Sequence, residues 1–93
     1  MGLDFVDFTL RIEKSFRIHV GPGDYDRLPK RKRFEMTAGE LHEWVVELCK
    51  EKRANVPWSS WNRVRLELAR VVGKPPRLIH RGTFIVKELG FSC

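Results

Sequence analysis

Residues 37–48, TAGELHEWVVEL, decide the fold class of this chain. Thr37 and Glu40 have the three-residue spacing of a capping box, in which each residue satisfies a backbone amide at a helix start. Apolar side chains then recur at positions i, i+3, i+4 and i+7, which share one helix face: Leu41, Trp44, Val45 and Leu48. The pattern predicts an amphipathic helix that fades in residues 50–53, where basic side chains suit the helix dipole.

Two more helices are predicted, one on each side of this stretch. The first covers about residues 5–16, has Asp4 as its N-cap and places apolar side chains on or near one face: Phe5, Val6, Phe8, Ile12 and Phe16. The other is capped by Ser59 or Ser60, stops at Gly73 and has its own apolar side: Trp61, Val64, Leu68, Val71 and Val72. Without a strand pattern, the sequence predicts an all-α bundle of three to four helices.

The segments between the predicted helices contain helix breakers and polar residues. Gly21-Pro22-Gly23 ends the first helical region, and residues 24–35 are predicted to form a solvated loop around the basic run Lys30–Arg33. The pair Pro75-Pro76 forbids continuation of the last helix. Residues 77–93 are predicted to be an extended connection that is held by apolar anchors: Leu78, Ile79, Phe84, Ile85, Val86, Leu89 and Phe91.

Composition narrows the class of protein. The 93 residues are the size of one domain and carry a formal charge of +6. Residues 1–53 have 11 basic and 10 acidic side chains and residues 54–93 have 7 and 2, so the excess lies in the second half. No apolar run approaches the roughly 20 residues of a membrane span, and we expect no signal peptide. Two cysteines are too few for a disulfide scaffold, which indicates a reduced, cytoplasmic setting.

The two ends of the chain carry what look like two halves of one motif, TFIVKELGFSC at residues 83–93 and MGLDFVD at residues 1–7. Together they resemble a string that is continuous in the acyl carrier protein family, roughly TxFVEDLGLDSLD. Residues 2–18 also resemble the family's second helix, residues 36–45 the start of its last helix, and residues 63–91 its first helix with the following loop. The resemblance covers almost the whole chain, but in a rotated order.

This resemblance implies a single carrier-like domain over residues 1–93 that is circularly permuted. Residues 1–53 would correspond to the family's second to fourth helices, and residues 58–93 to its first helix and the loop after it. The family's first and last helices are antiparallel, so residues 53–58 could join them directly. Two chains that exchange these halves would have the same sequence pattern, which leaves a monomer and a half-swapped dimer open.

The resemblance also carries an expectation about function. In the family, a serine of this motif bears the 4'-phosphopantetheine arm used in fatty acid or polyketide biosynthesis. Here Phe5, next to Asp4, stands at that position, and a phenyl ring has no hydroxyl to phosphorylate. The implied protein is an interaction or scaffold module for carrier-using synthases or transferases, with no cofactor and no enzymatic activity. One alternative is a functional carrier modified at Ser92, with Cys93 in the register of the acceptor serine.

Charge supports a second hypothesis of a different class. Family members dock through an acidic second helix, whereas this helix carries Arg11, Lys14 and Arg17, which weakens docking on basic surfaces. A basic adaptor for RNA, DNA or an acidic protein would use the basic run Lys30–Arg33 together with arginines of the second half and, if exposed, two tryptophans for stacking: Arg63, Arg65, Arg70, Arg77, Arg81, Trp58 and Trp61. No known nucleic-acid motif is reproduced, so nucleic acid is the less favoured partner.

Other chemistry finds no support in the sequence. His19, His42 and His80 lack metal-ligand spacing with either cysteine. A nucleophile elbow, a P-loop and a dinucleotide fingerprint are also missing. Cys49 lies beside the apolar stripe of the second predicted helix and is expected in the core.

Overall fold

The computed structural model describes residues 2–28 and 35–92, and this part of the chain is helical. Its α-helices are α1 (Leu3–Phe16), α2 (Ala38–Glu51) and α3 (Ser60–Val72), with short 3-10 helices at Pro22–Arg27 and Pro76–Leu78. The described residues contain no strand; one isolated bridge pairs Thr37 with Phe84. The prediction of a small all-α bundle is confirmed. The predicted basic loop Lys30–Arg33 and the terminal Cys93 lie outside the described residues.

Helix α1 begins earlier than predicted. Gly2 is the N-cap and makes no side-chain cap bond, so the prediction that Asp4 caps this helix is wrong. Asp4 instead lies in the first turn, where the positive end of the helix dipole favours a carboxylate. At the other end, Arg17 has a left-handed backbone with φ of 55°.

Helix α2 starts with the predicted capping box. The Glu40 amide donates to Thr37 Oγ1 at 3.2 Å, and the Thr37 amide donates to Glu40 Oε1 at 3.1 Å. Residues 81–85 satisfy further groups here, since the amides of Ala38 and Gly39 donate to the carbonyls of Thr83 and Arg81 at 2.9 and 2.8 Å. A Cβ on Gly39 would lie 2.9 Å from the Arg81 carbonyl oxygen, so only glycine permits this approach.

Helix α3 begins and ends at the predicted places. Gly73 adopts φ of 68° and terminates it. Ser59 occupies the N-cap position without a side-chain cap bond, whereas the Ser60 hydroxyl lies 2.8 Å from His42 Nε2 on α2. Ser59 is thus the N-cap by position, as one of the two predicted alternatives has it, but no serine side chain bonds a free amide of the helix, and the Ser60 hydroxyl contacts α2 instead.

Helix α3 packs against both α1 and α2. Near its start, Arg63 Nη1 donates to the Ser15 carbonyl at the end of α1, and farther along Glu67 lies 3.9 Å from Arg11. These contacts make α1 and α3 antiparallel. The interior between the helices is filled by completely or almost completely buried side chains from all parts of the described chain, the largest being Trp44, Phe8, Phe91, Ile12, Leu41, Leu48, Leu68, Ile79, Ile85, Val45, Val64 and Cys49.

Two predicted connections are more structured than expected. In the first, Asp24 is buried and Tyr25 packs against the core, because Trp44 Nε1 donates to the Asp24 carbonyl at 2.9 Å. The second forms a 3-10 helix and turns rather than an extended strand-like segment. Among its predicted anchors, Leu78 and Phe84 are exposed, which corrects the prediction for these two residues.

Candidate functional site: the junction of the chain ends and the outer face of α1

The two ends of the described chain meet at the start of α1. The Ser92 backbone amide donates to Asp4 Oδ2 at 2.9 Å. The Phe91 ring lies edge-on to Phe5 and Phe8, with ring centroids 5.9 and 6.3 Å away. The segments that look like two halves of one motif are thus neighbours in space.

Phe5 lies at the centre of an aromatic cluster, which is formed by Phe5, Phe8, Tyr25, Trp44 and Phe91. Its side chain is only 3% exposed, and its ring makes edge contacts with the other four at centroid distances of 5.8 to 6.5 Å. Tyr25 also stacks on Trp44 at 5.8 Å. Phe5, which was predicted on the apolar face of the first helix, is thus part of the core. Tyr25 was missed, because it stands in a polar stretch without a helical period.

The other groups proposed for covalent chemistry are placed differently. Ser92 is exposed beside the first turn of α1, and its described hydrogen bond comes from its backbone amide rather than its hydroxyl. Cys49 is completely buried in α2, as predicted, and burial raises the pKa of its thiol. A thiol that stays protonated and inaccessible is a poor nucleophile.

The outer face of α1 carries a second apolar stripe. Leu3, Val6 and Leu10 follow the i, i+3, i+7 spacing of one helix side and are 84%, 45% and 53% exposed. Val6 was predicted on the inner side and lies instead on this outer one. We call these three residues the outer stripe. Nothing in the described chain covers it, so α1 is apolar on two sides, one in the core and one in water.

The two arginines beside the outer stripe are paired with carboxylates. Arg11 Nε donates to Asp7 Oδ1 at 3.1 Å, and its Nη1 lies 3.9 Å from Glu67 of α3. Arg70 Nη1 donates to the same Glu67 carboxylate at 2.9 Å. These residues border an open groove of about 550 Å³ between α1 and α3. Lys14 also lines the groove, so three basic and two acidic side chains surround it, and each of its two arginines faces a carboxylate.

The His42 side chain contacts residues of α3. Its Nε2 lies 2.8 Å from Ser60 Oγ, and its ring meets the edge of Trp61, over which Arg81 is placed at 5.1 Å. Burial, and then the Arg81 charge, lower the pKa of His42, so the neutral ring is favoured. Sequence reasoning missed this contact, since residues 42 and 60 belong to separate helices. Ser60 is buried, and the pair joins α3 to α2 rather than opening to a substrate cavity.

Other kinds of site are not found in the described part of the chain. Residues 2–28 and 35–92 contain no group of three or more His, Cys, Asp or Glu side chains that could hold a metal ion. Their helices also lack the combination of length and apolar character that a membrane span requires. In comparisons with known proteins, no family model, no curated protein and no solved structure matches this chain.

Proposed function

We propose that this protein is a carrier-like docking module that works without a phosphopantetheine arm. The observation that carries the proposal is the outer stripe on α1, the helix that resembles the family's second helix. About half or more of the surface of each of its three side chains faces water. Exposed apolar residues that line up on one element are typical of a surface that binds another protein.

The absence of an arm follows from Phe5. Its position corresponds to the acceptor serine in the resemblance, and its side chain is buried among four other aromatic rings. A transferase needs an accessible hydroxyl at a helix start, and this position offers neither a hydroxyl nor access. The meeting of residues 83–92 with α1 further supports a rotated carrier bundle, because the family's motif runs without a break at that place.

Intact mass after incubation with a phosphopantetheinyl transferase and coenzyme A tests the missing arm. We expect no mass increase for the protein as it stands. The second candidate, a carrier modified at Ser92, is favoured by the exposed position of Ser92 beside the α1 N-terminus. An increase of one phosphopantetheine that disappears in Ser92→Ala would establish that candidate and overturn the first.

Docking is tested by titrating the protein with carrier-dependent synthases and transferases. Leu10→Gln changes the outer stripe, and Leu78→Gln is its matched control, since these leucines are 53% and 51% exposed. We expect Leu10→Gln to weaken binding about tenfold, as for a side chain worth about 1.4 kcal/mol at an interface. Equal effects of both variants, or no binding by the parent protein, would contradict the proposal. Solution size in the same samples distinguishes a monomer from a half-swapped dimer.

A further inference from the structure

A second open groove lies where the end of α1, the end of α2 and the start of α3 meet. Its volume is about 510 Å³, and its lining residues include three arginines and no carboxylate: Ser15, Phe16, Arg17, Arg53, Ala54, Asn55, Pro57 and Arg63. We call it the arginine groove. It does not share the outer stripe, so its role is separate from the docking proposed above.

The arginines of this groove have no acidic partner within the described residues. Two nearby carboxylates have other partners. Glu51 forms an ion pair with Arg27, and Glu13 accepts a hydrogen bond of 2.8 Å from the Val20 amide. Arg63 donates to the Ser15 carbonyl, which fixes its guanidinium at the groove. The groove between α1 and α3 differs, because each of its arginines faces a carboxylate. Three unneutralised like charges around one groove repel one another, which favours an anionic occupant.

Two residues of the arginine groove have an unusual backbone conformation. Arg17 and Arg53, with φ of 55° and 57°, are the two non-glycine residues with positive φ in the described chain. Each directly follows the end region of a helix, where glycine is the residue that adopts this conformation without strain. Strained residues of this kind concentrate at functional sites. Here both carry the charged side chains that line one groove.

The net charge of the groove can be estimated. Three guanidinium groups contribute +3, the C-termini of α1 and α2 each contribute about −0.5, and the N-terminus of α3 contributes about +0.5 through the helix dipole. About +2.5 remains, which suits a ligand with two or more negative charges close together. Successive phosphates of a nucleic acid strand provide this arrangement.

An exposed tryptophan stands next to the groove. Trp58 directly follows Pro57 of the groove wall and is 96% exposed. Trp61, the other tryptophan considered for stacking, is partly buried under Arg81 and is therefore not available. Arginines with an adjacent exposed aromatic ring are the combination that binds single strands, through phosphate contacts and base stacking.

We propose that the arginine groove binds the backbone of single-stranded nucleic acid, with a base stacked on Trp58. The proposal is tested by fluorescence anisotropy of a labelled oligothymidylate between 50 and 200 mM salt. Three phosphate contacts predict a slope of log K against log salt of about −2, because each contact to a single strand contributes about −0.7. A duplex of the same length should bind more weakly, since its bases are not free to stack.

Arg17→Gly and Arg53→Gly separate binding from folding. Each should flatten the salt slope by about 0.7. Each should also leave the melting temperature equal to or above that of the parent, because glycine relieves the left-handed backbone. Trp58→Ala should weaken binding about tenfold with an unchanged salt slope. Arg77→Gln, which removes an exposed charge in the 3-10 helix Pro76–Leu78 that follows α3, is the control and should change binding little.

Three results would overturn the proposal. One is no salt-dependent binding of the oligothymidylate at 50 mM salt. Another is an equal loss of affinity in Arg77→Gln and in the groove variants, which would indicate general attraction by net charge. The last is tighter binding of a labelled polyglutamate peptide or of the duplex, which would assign the groove to a different partner.

Discussion

Asp4 and Ser92 are 88 positions apart in the chain, yet the Ser92 backbone amide donates a hydrogen bond of 2.9 Å to the Asp4 carboxylate. This bond holds the last described residues over the aromatic cluster. We expect Asp4→Ala to lower the free energy of unfolding by about 1 kcal/mol, because a charged acceptor and a favourable dipole contact are lost together. Urea denaturation measures this change. Asp7→Ala, which breaks only the exposed pair with Arg11, should cost less than half as much.

Phe5→Ser tests the aromatic cluster. The variant restores a hydroxyl at the position of the acceptor serine, but it removes a ring that contacts four others. We expect a loss of about 3 to 5 kcal/mol in the free energy of unfolding, as for other truncations of buried phenylalanines. Phe5→Leu keeps an apolar side chain and should lose less than half of that. A loss below 1 kcal/mol in Phe5→Ser would show that the ring is not part of the core.

Gly39→Ala reverses the usual effect of this substitution in a helix. Alanine normally stabilises a helix by about 1 kcal/mol relative to glycine. At position 39 the new Cβ would lie 2.9 Å from the Arg81 carbonyl oxygen, so the segment after α3 must shift. We expect a net loss of about 1 to 3 kcal/mol in thermal or urea unfolding. Gly23→Ala, where no atom lies within 4 Å of the new Cβ, is the control and should be nearly neutral.

The partly buried position of His42 beside Arg81 predicts a pH dependence of stability. Burial and Arg81 lower the pKa of His42 in the folded protein below its ordinary value of 6.5. As pH falls through 6.5, the unfolded chain therefore binds a proton more readily than the folded chain, and stability decreases. The decrease ends below the folded pKa. His42→Gln should reduce the loss of melting temperature between pH 7 and pH 5, and an undiminished loss in this variant would contradict the prediction.

Local signals explain what could be predicted of the fold. The capping box of Thr37 and Glu40, the apolar stripe of α2 and the stop at Gly73 depend on residues within a few positions of one another, and all are found in the structure. The surroundings of Tyr25 and Ser60 could not be predicted in this way. Their contacts come from Trp44 and His42, which are 19 and 18 positions away in the chain.

The same distinction applies to the candidate sites. Phe5 was recognisable from the motif, because its neighbours in sequence define the register. The outer stripe could be predicted from the sequence only in part, because the spacing of Val6 is compatible with either side of α1. For the arginine groove, sequence gives the charges of Arg17, Arg53 and Arg63 but not their meeting. That meeting depends on the antiparallel packing of α1 and α3, which brings the start of one beside the end of the other.

The hydrogen bond between the Ser92 amide and Asp4 places the last described residues beside the first turn of α1. A peptide of a few residues could bridge them, and a short bridge adds little loop-closure entropy. If the bridged chain were opened instead between Arg53 and Trp58, α3 would come first and the halves of the motif would be read in one uninterrupted line. The same core would then form from helices in a different order along the chain, and Phe91 and Phe5 of the aromatic cluster would belong to one continuous segment.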